Sequence, residues 1–130
     1  MVLEEFSEEF SEELLNILKA TVSALDDRKA EDLKILYVGR ISSITNFFVV
    51  ATGNSEPHLK ALINSVAREL KDLKVNLLGS DSEHGSGWAV IDAFDVMIHL
   101  FLPEQRQFYQ LETLWKDAEF IDPQRFCLLR

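Results

Sequence analysis

A chain of 130 residues with 47% hydrophobic content can bury one core and make one domain. No apolar run approaches the roughly 20 residues a membrane-spanning helix needs, and the single Cys127 excludes an internal disulfide and fits a reducing compartment. The net charge of −9 is uneven: residues 1–13 hold six glutamates and no basic residue, leaving −3 on the rest. The chain lacks the basic footprint that neutralises phosphates, so direct reading of nucleic acid is not expected and a basic protein surface is the favoured partner. The acidic start fits neither a signal nor a transit peptide, so the expected location is cytoplasmic, away from membranes.

In chain order, residues 1–10 form an acidic extension that runs into a helix over 7–26. Phe10, Leu14, Ile17, Leu18, Thr21, Val22 and Leu25 recur at helical spacing on one face. Ser7 or Ser11 is placed to cap it. Leu33–Val38 reads as a strand. Phe47–Thr52, nearly all apolar, reads as a central strand covered on both faces. A helix follows from Glu56 to about Leu73, with Pro57 in its first turn and Leu59, Leu62, Ile63, Val66 and Leu70 as its buried stripe. Val75–Leu78 is a further strand, and residues 79–87 are a polar loop. Trp88–Asp92 and Val96–Phe101 form a hairpin. Pro103 then ends the strand, Glu104–Leu114 is a short helix, and 119–130 is a tail. The predicted order is α-β-β-α-β-β-β-α, a mixed α+β fold with one mixed sheet of about five strands flanked by helices.

The hairpin organises the rest. A two-residue turn at Ala93-Phe94 places Asp92 opposite Asp95, Val90 opposite Met97 and Trp88 opposite His99. One face carries Ala89, Ile91, Val96, Ile98 and Leu100, wholly apolar, and must be buried. The other carries Trp88, Val90, Asp92, Met97, His99 and Phe101. An aromatic cluster beside carboxylates has the composition of an interface core, although core packing is the default for any one aromatic.

Catalytic readings of the polar segment are weak. Residues 79–87 carry no phosphate-loop lysine and no dinucleotide fingerprint. Asp81, Glu83 and Asp92 vaguely resemble the carboxylates of a metal-dependent nucleotidyltransferase, the rival enzymatic reading. Ser82, His84 and Asp81 lack a nucleophile elbow. His58, His84, His99 and Cys127 have no metal-ligand spacing, so no metal or cofactor is expected. A plain dimeric scaffold is a third reading.

Three blocks carry a resemblance. Ser42-Ser43-Ile44 with Gly53 and Ser55, then Trp88, Asp92, Asp95, Val96 and His99, then Arg106, Tyr109, Leu111, Glu112, Leu114 and Trp115 follow the patterns of the ribosomal silencing factor (RsfS, or Iojap) family. The similarity covers about residues 11–118. It implies a nucleotidyltransferase-like topology without that activity. It also implies binding to the large ribosomal subunit through its fourteenth ribosomal protein. Steric exclusion of the small subunit would follow, lowering translation when nutrients are short. Some members are homodimers when free. On this resemblance the partner-binding residues are Trp88, Met97, Phe101 and Tyr109, with Asp81, Asp92 and Asp95 facing basic groups. Arg106 and Glu112 are expected to hold the last helix to the sheet, with Leu114-Trp115 anchoring it. The chain departs from the family where Asn46 and Tyr37 replace aspartates, and where Asp81-Ser82 stands for Glu-Gly.

Overall fold

The computed structural model describes residues 11–39, 45–75, 79–82, 87–93, 95–114 and 117–123. Helix α1 spans Glu12–Asp27. Ser11 caps it, its hydroxyl accepting a 3.1 Å hydrogen bond from the Leu14 N–H, and Glu12 and Glu13 complement the positive end of the helix dipole. Ser7 and Phe10 lie outside the described residues. Helix α2 spans Glu56–Asp72 and is capped in the same way by Ser55. Both helices end alike, with a lysine in the left-handed region (Lys29, φ 59°; Lys74, φ 60°). The next N–H then returns five residues back, Ala30 to Leu25 and Val75 to Leu70.

The strands are β1 Glu31–Tyr37, β2 Phe47–Thr52, β3 Gly79–Ser82, β4 Trp88–Asp92, β5 Val96–Phe101 and β6 Glu119–Ile121, ordered β3-β4-β5-β2-β1-β6 in one sheet. Among the described residues only the β2–β5 pair is parallel. Every residue of β2 is buried, as its nearly all-apolar sequence predicts. α1 and α2 pack together on one face, burying Leu18, Val22, Leu25, Leu62, Val66 and Leu70 against Phe47, Val49, Ile91, Val96, Ile98 and Leu100. Gly53 lets the end of β2 come close to α2: a Cβ there would sit 3.0 Å from the Leu59 backbone. The opposite face carries a smaller cluster of Leu36, Val38, Phe48, Val50, Phe101 and Ala118, with Trp88, Met97 and Leu111 packed against it.

Four expectations change. The segment read as a polar loop begins with strand β3, which joins the sheet through backbone pairing with β4. Among the described residues the sheet has six strands, the sixth being β6 in the segment read as a tail, paired with β1. The last helix is two: α3 Pro103–Tyr109 and α4 Leu111–Leu114, broken at Gln110 in the left-handed region (φ 46°). The hairpin closes on Ala93 and Val96, with Ala93 N–H to Val96 C=O at 2.9 Å. Trp88 therefore faces Phe101, Val90 faces His99 and Asp92 faces Met97. That register differs from the expected one by two residues. Because side chains alternate with period two, the assignment of residues to faces is unchanged.

Candidate partner interface

On the second sheet face, β4 and β5 place Trp88 and Phe101 as cross-strand partners, their rings stacked at 5.3 Å and 23°. α3 brings Tyr109 to 4.5 Å from Trp88, and Phe108 meets Tyr109 edge-on at 5.1 Å. Phe108 is 80% exposed and Tyr109 42%, while Trp88 is half-buried between Tyr109 and the sheet. The result is an aromatic ledge along the α3 side of the domain. Phe101 has no accessible surface, which corrects its expected role as a direct contact: α3 and Trp88 roof it, so it is the floor of the ledge.

His99 lies beneath, only 5% exposed, with Phe48 edge-on at 5.2 Å. Its Nδ1 accepts the Trp88 indole N–H at 3.2 Å. An indole can only donate, so the proton of the neutral imidazole is on Nε2. That Nε2 is buried with no hydrogen-bond partner among the described residues. Burial lowers the His99 pKa from 6.5 to about 4, so the ring is neutral at neutral pH.

The other end of the face is acidic. Asp92 lies opposite Met97, and both are half-buried. Asp92 lies four steps along the strand from Trp88, about 13 Å. Asp95 fixes the start of β2: its carbonyl accepts from the Asn46 and Phe47 N–H groups, and its Oδ1 accepts from Asn46 Nδ2 at 3.0 Å. Asn46 is thus matched to Asp95, where an aspartate would present a second negative charge. Asp81 pairs with Val90, so its position in β3 falls on the Trp88–Asp92 face. Glu83, His84 and Trp115 lie outside the described residues, as do the side chains of Glu112 and Leu114. Among the described residues no three His, Cys, Asp or Glu side chains form a metal-binding group, and no helix is long and apolar enough to cross a membrane.

Arg106 does hold α3 to the sheet. It is 8% exposed, donates through Nη1 to Thr52 Oγ1 at 2.7 Å, and places Nη2 3.4 Å from Asp32 Oδ2. An open cavity of about 550 Å³ beside it is lined by Asp32, Lys34, Gln107 and Gln110. Phe108 was not among the expected site residues. Its only sequence signal is an apolar side chain standing between polar Gln107 and the Tyr109-Gln110 step.

The arrangement defines, first, a class of small mixed α+β domain already seen in crystals. A crystal structure from Chromobacterium violaceum superposes with a TM-score of 0.74 at 38% identity, covering 77% of this chain and 83% of that one. One from Bacillus halodurans does so with a TM-score of 0.71 at 30% identity, covering 81% and 95%. Residues 11–128 match the family described as ribosomal silencing factor during starvation, and the chain belongs to that family. The ribosomal silencing factor RsfS of Chromobacterium violaceum is 38% identical over 103 residues, covering 79% of this chain and 84% of the relative. That of Bacillus subtilis is 30% identical over 107 residues, covering 82% and 91%. A mouse protein named for mitochondrial assembly of the ribosomal large subunit is 34% identical over 107 residues, covering 78% of this chain and 46% of its own length.

Proposed function

We propose that this protein is a non-enzymatic silencing factor that binds the large ribosomal subunit through its fourteenth ribosomal protein. Seated there, it sterically blocks joining of the small subunit and lowers translation under nutrient limitation. The observation that carries this reading is the aromatic ledge of Trp88, Phe108 and Tyr109, with the half-buried carboxylates of Asp92 and Asp95 at the far end of the β4–β5 hairpin. Aromatic anchors beside acidic groups suit a basic protein surface. The net charge of −9 favours the same kind of partner and disfavours bare phosphate. Trp88, Phe108 and Tyr109 supply apolar contact, Met97 extends it, and Asp92, Asp95 and position 81 form the acidic end.

The test is sedimentation through sucrose with purified large subunits, followed by addition of small subunits. The protein should travel with large subunits and suppress the joined particle. Asp92→Lys, with its native circular dichroism retained, should weaken co-sedimentation by about ten-fold or more. Wild-type protein that stays at the top of the gradient at micromolar concentration would remove this reading. Full binding by folded Asp92→Lys would remove the acidic end from the interface.

A further inference from the structure

We infer that His99 is the positioning residue of this interface: it holds the Trp88 indole with its N–H turned into the domain, so that a partner meets only the hydrocarbon part of the ring. The interface role of Trp88 rests on the function proposed above. The orientation itself rests on geometry alone.

Trp88 has one hydrogen-bond donor and no acceptor. Left to itself, a half-buried tryptophan at a surface turns its N–H toward water. Here the donor is instead satisfied inside, by Nδ1 of a histidine that faces it at 3.2 Å with the rings 5.9 Å apart. The imidazole is anchored in turn. It projects from the central strand β5, stacks along Phe101 at 6.3 Å and meets the edge of Phe48. The arrangement is costly. The second imidazole nitrogen is buried without a partner among the described residues, and a leucine or phenylalanine would avoid that cost. A histidine here is therefore poorly explained as packing. It is well explained as an acceptor placed for one donor. The indole is also wedged between Phe101 and Tyr109, so a rotation of Trp88 would move the exposed ledge with it. With its donor consumed, the ledge has no indole hydrogen bond to offer. It selects a partner surface by apolar and aromatic contact, and the Tyr109 hydroxyl and the distant carboxylates supply the polar terms.

The experiment compares wild type, His99→Leu, Trp88→Phe and the double variant, all in a Trp115→Phe background so that a single indole reports. In the wild type, the Trp88 indole proton should exchange with solvent at least about ten-fold more slowly than in His99→Leu. His99→Leu should keep or raise the stability at pH 8, yet bind large subunits about three- to ten-fold more weakly. In the Trp88→Phe background, His99→Leu should add no further loss of binding. Exchange that is equally fast in wild type and His99→Leu would overturn the orientation. A binding loss that persists in the Trp88→Phe background, or that follows a loss of stability, would overturn the positioning role and leave His99 a packing residue. If wild type itself fails to bind large subunits, the functional reading fails and with it the interface role, while the exchange rates still decide the orientation.

Discussion

Acid should unfold this protein through a histidine before its carboxylates are titrated out. The folded pKa of His99 is about 4, against 6.5 for the free imidazole. The unfolded chain therefore takes up a proton first, and between pH 6.5 and 4 it holds more protons than the native state. Stability rises with pH wherever the unfolded state binds more protons, so this contribution is complete above about pH 7 and is lost as pH falls through that window. From those two values the loss between pH 8 and pH 5 is about 2 kcal/mol, and the full loss below pH 4 about 3 kcal/mol. The assay is urea unfolding of wild type and His99→Leu at pH 8, 6.5 and 5. Both proteins carry the same carboxylates, so the change in the difference between them isolates the imidazole. Wild type should lose about 2 kcal/mol more than His99→Leu over this range. A stability gap that is the same at pH 8 and pH 5 would refute the claim that the ring is buried in its neutral form.

Three further substitutions probe other parts of the domain. Arg106→Met removes a charge-assisted hydrogen bond to buried Thr52, and urea unfolding should show a loss of about 2 kcal/mol, whereas Asp32→Asn, which keeps a residue suited to the left-handed backbone there (φ 48°) and removes only a largely exposed charge, should cost less than about 0.5 kcal/mol. Thr21 is fully buried on α1 and its hydroxyl has no partner among the described residues, so Thr21→Val should stabilise by about 1 kcal/mol and raise the calorimetric Tm by a few degrees. Asn46→Asp replaces a donor by a second carboxylate beside Asp95 and should lower the urea midpoint by an amount equivalent to about 1–2 kcal/mol; an unchanged midpoint would mean that the 3.0 Å contact contributes nothing.

The parts of the fold that were legible in the sequence are those whose burial is written in side chains. β2 announced itself by a nearly all-apolar sequence, and α1 and α2 by helical periodicity with a serine at the cap. The hairpin faces survived a misplaced turn because an error of two residues preserves the alternation. Strand β3 was not legible. Gly-Ser-Asp-Ser has no apolar pattern to announce a strand, and it joins the sheet by main-chain pairing with β4. β6 has three residues, too few for any period to show. The break at Gln110 carries no glycine or proline to mark it. At the candidate site, the aromatic face was readable from composition and register. The burial of Phe101 depends on where α3 lands, and that is fixed by Arg106 reaching Thr52, 54 residues away in the chain. Such a contact leaves no local trace.

The central position of β2 has a consequence for how the chain is made. Phe47–Thr52 is hydrogen-bonded on one side to β1, which precedes it, and on the other to β5, which begins only at Val96. During synthesis the sequence FFVVAT emerges with one edge open, and 43 residues must follow before its second neighbour starts to appear. At elongation rates of about 5–20 residues per second, that interval is roughly 2–9 s. A flat, uncharged, β-branched and aromatic hexapeptide with a free edge is the kind of segment that pairs with other chains. The half-built domain therefore exposes its stickiest strand on a translating ribosome for seconds. Yield on overexpression should respond more to slowed elongation between Gly53 and Asp95, or to chaperone supply, than to changes in the stability of the finished protein.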